Sequence, residues 1–290
     1  MLVRSQRASA LLIVLWVLAL LSFLIITTMM VATQDVESAV SRRLVSRAQQ
    51  LAERGIALGA HPGVRADDSL LHGKISASES YDVRLTTEER RLNLNAQLTP
   101  ERSEVLARLF TIWGLPEKDA QALTKALMEI ADARRKSPST GATAAAPFRK
   151  LDEIAAVKGM DAVAALRPSW RESFTLRGDG HLDVNEADAE LIAAAADVPL
   201  SAARTFVEVR DGPDGIPQTK DDKPLENIEE LPALLGTKMQ NLAQIFTLHG
   251  GTQRIESTGR AGGIARCVTI TLQKNAPVPL LEWQDSTPVK

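Results

Sequence analysis

Cysteine is almost absent from the sequence, and the common catalytic motifs are missing. The single cysteine, Cys267, has no partner for an intramolecular disulfide. The four histidines lie far apart and show none of the spacings that ligate zinc. The nucleophile-elbow serine motif, the phosphate-binding loop and the paired-histidine zinc motif do not occur. The sequence therefore predicts that the protein is not an enzyme.

The chain also lacks an excess of positive charge. Its 34 Lys and Arg residues against 36 Asp and Glu residues give a net charge of -2, which provides no general attraction to nucleic acid or anionic lipid. Residues 181–250 are more acidic, with thirteen Asp or Glu and five Lys or Arg. Because phosphate-binding surfaces need the opposite sign, this region argues against DNA binding.

Charge is missing altogether from the twenty-six residues Ala8–Thr33. As a helix this run spans about 39 Å at about 1.5 Å per residue, more than the roughly 30 Å hydrocarbon core of a bilayer. Arg4 and Arg7 precede it, and Asp35 and Glu37 follow it. We therefore predict a single transmembrane helix with a cytoplasmic N-terminus and the bulk of the chain outside the cytoplasm.

Three processing routes are open for this segment. A secretory signal peptide has a shorter apolar core, about 7–15 residues, followed by a small-residue cleavage site. The far end of this run, Met29–Ala32, offers no such site. The second route is an uncleaved membrane anchor. The third is cleavage before the apolar run, where a short basic leader meets Ala8.

The third route rests on a family resemblance. The segment Gln6–Trp16 resembles the leader of type IV pilins and pseudopilins, which a membrane aspartyl prepilin peptidase cuts on its cytoplasmic side. The resemblance implies a leader over residues 1–8, cleavage between Ala8 and Ser9, and a mature transmembrane helix over residues 9–34. Family members usually carry Gly where Ala8 stands.

A second departure from the family pattern is Ile13. Most pilins have Glu at this position, the fifth of the mature chain, where it pairs with the free amine of a neighbouring subunit. A carboxylate inside the membrane is costly without a partner, and a subunit at the filament tip has no neighbour above it. In lacking this Glu, the sequence resembles the K-type minor pseudopilins of type II secretion systems.

Residues 35–59 are predicted to continue the helix as a stalk. Apolar residues recur at spacings of four, four, four and three along one helical face: Val36, Val40, Leu44, Ala48 and Leu51. The segment His61–Gly63 ends the helix. We expect this apolar face to pack on the protein's own sheet and on neighbouring subunits; an ordinary amphipathic surface helix is the alternative.

The middle of the chain contains an internal repeat. Residues 92–95 (Leu-Asn-Leu-Asn) match 182–185 (Leu-Asp-Val-Asn). Residues 151–154 match 228–231, and these two segments end at Gly159 and Gly236. We predict strands over 80–85 and 91–95. We predict helices from the cap Thr99 to Trp113, from Pro116 to Arg135 and over 151–158, with a loop over 137–147. The expected core residues are Leu109, Ile112, Leu123, Leu127, Ile130, Leu191, Ile192, Val198, Phe206 and Val209.

Each repeat resembles a helix-hairpin-helix module. DNA-binding versions use a Gly-rich hairpin whose backbone amides bind phosphate, whereas the hairpin at Ala196–Pro199 has no Gly. A membrane-anchored helix-hairpin-helix DNA receptor nevertheless stays as the alternative to the pseudopilin interpretation.

The same region also resembles the K-type minor pseudopilins. The segments Glu89–Asn95, Ala146–Met160 and Gly178–Asn185 are similar to their signature stretches. The resemblance implies an α+β fold: an N-terminal transmembrane and stalk helix, a pilin-like antiparallel sheet, and a large inserted helical domain of two helix-hairpin-helix-like repeats, about 92–160 and 182–237. The implied domains are 35–95 for the stalk and first strands, 96–243 for the helical insertion and 244–290 for the last strands.

The family resemblance also implies a role and partners. The protein would form the pseudopilus tip with the I- and J-type minor pseudopilins and initiate assembly for export across the outer membrane. Its other partners would be the major pseudopilin, the prepilin peptidase and the inner-membrane assembly platform. It would lie in the inner membrane of a Gram-negative bacterium, with its bulk in the periplasm and its new N-terminus methylated.

The C-terminal part is predicted to complete the sheet. Strands are expected over 244–248, 253–258 and 265–273, with a hairpin at 259–263. Val268, Ile270 and Leu272 would face the first helix, and Cys267 would be a half-buried, unreactive side chain.

One loop has the composition of a metal site. Asp211, Asp214, Asp221 and Asp222 lie on a loop rich in Gly and Pro, and carboxylate oxygens suit Ca²⁺. The spacing is not that of an EF-hand, because the alternating Asp residues and the terminal Glu are missing. We expect structural Ca²⁺ here; a solvated turn is the alternative.

Overall fold

The computed structural model describes residues 3–136, 146–215, 217–237, 242–273 and 280–287, with side chains from Ile13 onward. The helices are α1 Val3–Gly59, α2 Leu94–Gln97, α3 Glu104–Ile112, α4 Glu117–Lys136, α5 Leu151–Ala155, α6 Met160–Leu166, α7 Ala189–Ala196, α8 Leu200–Arg210 and α9 Leu231–Leu235. The strands are β1 His72–Lys74, β2 Glu79–Thr87, β3 Leu92–Asn93, β4 Phe174–Thr175, β5 Leu182–Asp183, β6 Phe246–Thr247, β7 Thr252–Ala261, β8 Ile264–Gln273 and β9 Leu280–Ser286. Short 3-10 turns cover Ser69–Leu71, Glu88–Arg90, Trp170–Ser173, Ile228–Glu230 and Leu242–Gln244.

Helix α1 confirms that the membrane segment and the stalk form one continuous helix. Only the C-terminal part of the predicted apolar face is covered by the rest of this chain. Ala48 and Leu51 are buried and Leu44 is half-buried, whereas Val36 and Val40 are 63% and 52% exposed. These two valines are therefore available to other molecules.

Glycine allows α1 to lie directly on the sheet. A Cβ atom on Gly259 of β7 would lie 2.1 Å from the carbonyl oxygen of Ala48 and 2.5 Å from the amide nitrogen of Ala52. Gly55 of α1 similarly faces Ser257 and Val83. Backbone-to-backbone approach at this distance leaves no room for a side chain.

The main sheet is antiparallel, with five strands in the order β1-β2-β7-β8-β9. The core against α1 contains Val83, Leu85, Ile255, Val268 and Ile270. The predicted strands over 80–85, 253–258 and 265–273 are confirmed. Strand β7 extends to Ala261, so the hairpin turn is only Gly262-Gly263, both with positive φ. Strands β1 and β9 were not predicted because neither has a clear alternating pattern.

Cys267 is more buried than expected, at 6% exposure. The face of β8 that points away from α1 is also covered, since Thr269 and Thr271 on that face are buried. Burial raises the pKa of the Cys267 thiol, which disfavours the reactive thiolate.

Several predicted local elements are wrong. The segment 244–248 forms only β6, which pairs in parallel with β5 in the helical part and not with the main sheet. The strand predicted over 91–95 stops at Asn93, whose side-chain oxygen accepts the Ala96 amide and caps α2. The helix predicted from Thr99 begins only at Glu104; before it, residues 100–103 form a single turn in which the amides of Arg102 and Ser103 donate to the Thr99 carbonyl. The last predicted helix, over 151–158, ends at Ala155. Most of the predicted loop over 137–147 lies outside the described residues.

Each of the two repeats makes the same kind of long-range contacts. Asn95 exchanges two hydrogen bonds with the backbone of Phe148, and Asn185 does the same with Leu225. Strand β3 pairs in parallel with β4, as β5 does with β6. The closing strands begin identical Phe-Thr-Leu sequences at residues 174 and 246. Each repeat therefore extends past its predicted end to a closing strand.

The helical core follows the prediction with one clear exception. Leu109, Leu123, Leu127, Leu191, Ile192 and Phe206 are buried, and Ile112, Ile130 and Val198 pack partly against them. Val209 is 59% exposed. The buried face of α8 runs through Ala203, Phe206 and Arg210, and Val209 lies to one side of it.

Buried carboxylates join the helical part to the main sheet. Glu88 is 2% exposed and lies 2.5 Å from Arg91 and 3.5 Å from Arg254, while the hydroxyls of Thr175 and Thr271 donate to it. The neighbouring Glu89 accepts the Thr252 amide, and burial raises its pKa. Glu88 thus connects β4 of the helical part with β7 and β8 of the sheet.

Candidate functional sites: the membrane helix and the acidic loop

Helix α1 is long and apolar enough to cross a membrane over the part whose side chains are described, from Ile13 onward. Its large apolar side chains between Ile13 and Val31 are all at least half exposed. The hydroxyls of Thr27, Thr28 and Thr33 donate to carbonyls three or four residues earlier. This helix therefore has the apolar surface and the satisfied hydroxyls that a membrane-spanning segment requires.

The predicted processing site lies at the start of this helix. Ala8 and Ser9 belong to α1, although their side chains lie outside the described residues. Ile13 is the first described side chain and is 64% exposed. The position is thus open to lipid or to another subunit.

Three of the four predicted metal ligands come together in the acidic loop. Carboxylate oxygens of Asp214, Asp221 and Asp222 lie within 4.8 Å of one another. The Thr219 hydroxyl lies among them, 2.7 Å from Asp221 and 3.1 Å from Asp222. The hydrogen bond from Thr219 is the largest influence lowering the pKa of Asp221, so this carboxylate is ionised and available to a cation at neutral pH.

Asp211 does not belong to the cluster. Its carboxylate forms a buried ion pair with Arg210, with Nε 2.7 Å from Oδ1. The same guanidinium donates to the carbonyls of Val184 and Ala187. The structure therefore places Asp211 outside the predicted ligand set, because its ion pair with Arg210 anchors the loop to the start of the second repeat. Among the residues that the structure describes, the remaining three aspartates are the one group spaced to hold a metal.

Comparison with known proteins gives a structural match only. The sequence matches no family profile and no curated protein. Among solved structures, the chain is similar to a chain of the GspK-GspI-GspJ complex from the type 2 secretion system of enterotoxigenic Escherichia coli. The TM-score is 0.54 at 15% identity, and the match covers 89% of this chain and 99% of that chain. The similarity shows that the fold is pilin-like, with a long apolar N-terminal helix, an antiparallel sheet and further helices, as expected from the sequence.

Proposed function

We propose that the protein is a minor pseudopilin of a type II secretion system and acts at the tip of the pseudopilus. The structural similarity to a chain of a complex of three such proteins, extending over nearly all of both chains, carries the proposal. The exposed apolar surface of α1 supports it, because a subunit of this kind needs a membrane helix that neighbouring subunits can contact. In this role the protein is a structural component and not an enzyme.

The remaining parts of the proposal follow from the same role. The partners are the I- and J-type minor pseudopilins, the major pseudopilin, the prepilin peptidase and the inner-membrane assembly platform. The chain crosses the inner membrane once, with its N-terminus in the cytoplasm and its bulk in the periplasm. Arg4 and Arg7 before the apolar run support this orientation.

Cleavage after Ala8 is the first test of this function. We expect the membrane-extracted protein to begin at Ser9, methylated on its new amine, and expect Ala8→Leu to leave the precursor uncut because the peptidase accepts a small residue there. Intact mass measures both. An intact start at Met1 in the unsubstituted protein contradicts pseudopilin processing, favours a simple anchor and raises the DNA-receptor alternative. A start beyond Ala32 indicates a released protein.

The tip position predicts a specific cost at Ile13. We expect Ile13→Glu to leave the fold of the periplasmic part unchanged and to reduce assembly several-fold, because a carboxylate inside the membrane is costly without a partner. The measurement is secretion by cells whose only copy carries the substitution, with Ile13→Leu as the matched control. Unchanged secretion with Ile13→Glu contradicts the tip assignment and leaves the pseudopilin fold intact.

We also propose that Asp214, Asp221 and Asp222 bind structural Ca²⁺. Three clustered carboxylates with a hydroxyl among them fit a hard, oxygen-seeking cation. Calcium at about one hundred times its dissociation constant stabilises by about 2.7 kcal/mol, so we expect Tm of the full chain in detergent to rise by several degrees with calcium over EDTA. The double substitution Asp221→Asn with Asp222→Asn should abolish the rise, and the exposed Asp67→Asn should not. If millimolar calcium leaves Tm unchanged, the loop is a solvated turn.

A further inference from the structure

Strand β9 leaves one edge of the main sheet open. The strand order places it outermost, and among the described residues its only strand partner is β8. Natural edge strands are usually short or protected by Lys or Pro. The opposite edge strand, β1, has three residues including Lys74, whereas β9 has seven and contains neither Lys nor Pro. Within the described part of the chain, its outer N–H and C=O groups are therefore available for another strand.

The two faces of β9 differ in chemistry. Trp283 pairs with Ile270, which faces α1, and is 49% exposed; Leu280 and Leu281 are also exposed. Glu282 and Gln284 pair with Thr271 and Thr269 on the other face. Because side chains alternate across a strand, any strand added to β9 would present alternate residues to these two surfaces.

The face that holds Glu282 opens into a basic cleft of about 380 Å³ between the sheet and the helical part. Its carboxylates are Glu88, Asp152 and Glu282. Its cations number six: Arg91, Arg149, Lys150, Arg171, Arg177 and Arg254. The cleft therefore carries a surplus of positive charge.

The surplus is not neutralised within the described residues. Arg171 pairs with Asp152 at 2.9 Å, and Arg177 pairs with Glu282 at 3.6 Å. Arg149 and Lys150 are exposed and make no ion pair with the described residues. Arg91 is buried beside Glu88, yet its Nε has no hydrogen-bond acceptor. Guanidinium groups of this kind bind carboxylates well.

We propose that the outer edge of β9 and the basic cleft together bind an extended segment of a partner protein whose side chains alternate between acidic and apolar. Main-chain hydrogen bonds to β9 hold the segment, its carboxylates face Arg149 and Lys150, and its apolar side chains cover Trp283. The surface lies on the periplasmic body, away from the apolar membrane-spanning part of α1, and adds a second contact to those made by that part of the helix.

A peptide of alternating glutamate and valine, as long as β9 at seven residues, tests the proposal with the full chain in detergent. We expect binding by titration calorimetry and slower hydrogen exchange of amides in residues 280–287. A permuted peptide, with the same composition and all glutamates at one end, should bind about tenfold more weakly. Arg149→Glu should weaken binding about tenfold, because it reverses a charge that faces the peptide. Lys118→Glu makes the same reversal of charge at an exposed site on α4 and should change the affinity less than about twofold.

Five results would overturn the proposal. Four of them are no binding at millimolar peptide, equal binding of the permuted peptide, equal effects of the two charge reversals, and binding without protection of β9. Displacement of the peptide by inorganic phosphate at constant ionic strength would also overturn it, since the cleft would then be a simple anion site. Circular dichroism of both variants excludes loss of fold as the cause.

Discussion

The substitution Gly259→Ala is expected to loosen α1 from the sheet and to lower the free energy of unfolding by about 3 kcal/mol, the upper part of the range for overpacking. The added methyl group would meet the α1 backbone at Ala48 and Ala52, at 2.1 and 2.5 Å. Neither the helix nor the strand can yield locally, because both atoms belong to the main chain. Denaturant unfolding of the full chain in detergent measures the loss.

Gly251→Ala is the matched control for this prediction. It lies just before β7, and a Cβ atom there would have nothing within 4 Å. We expect a change within about 0.5 kcal/mol, as for surface substitutions in general. Hydrogen exchange adds a local measurement, since amides of residues 44–59 should exchange faster only in the Gly259 variant. Equal stability of the two variants would contradict the close helix-to-sheet contact.

The substitution Glu88→Ala is expected to cost about 3–5 kcal/mol, the usual range when one partner of a buried ion pair is removed. It would leave Arg91 and Arg254 without their shared carboxylate and would remove the acceptor for the hydroxyls of Thr175 and Thr271. Because these groups come from both parts of the protein, the helical insertion should also lose its fixed position on the sheet.

Two comparisons isolate this effect of Glu88. Glu88→Gln keeps the shape and part of the hydrogen bonding, so its loss should be smaller than that of the alanine variant. Glu104→Ala removes an i,i+4 ion pair with Arg108. Because the Glu104 side chain is 84% exposed, this substitution should cost no more than about 1 kcal/mol. Denaturant midpoints of the three variants give the order. A Glu88→Ala midpoint equal to that of Glu104→Ala would contradict the role of Glu88 in joining the helical part to the sheet.

Elements with strong local patterns were predictable. A charge-free run followed by apolar residues at helical spacing indicated α1, and alternating residues around a glycine-rich turn indicated β7 and β8. The repeat was visible in the Leu-Asn-Leu-Asn and Leu-Asp-Val-Asn segments, although its ends were missed. The identical Phe-Thr-Leu sequences at 174 and 246 were a signal that could have located them.

The candidate metal site was only partly predictable. Four aspartates on one loop indicated carboxylate ligands, but the sequence contains no sign that Arg210 forms an ion pair with Asp211 and also donates to the carbonyls of Val184 and Ala187. The role of Asp211 depends on Val184 and Ala187, more than twenty residues away. Composition identified the loop, and the folded chain selected Asp214, Asp221 and Asp222.

The sequence by itself determined the long apolar helix, its stalk, the central hairpin and the existence of two helical repeats, because each depends on spacing within a short segment. Only the tertiary structure decided which strand β6 joins, how close α1 lies to Gly259, and where Glu88 and the β9 edge stand relative to the basic cleft. These features join residues as far apart as 88 and 271. Such contacts form only when packing of the whole core brings distant segments together, so no local pattern encodes them.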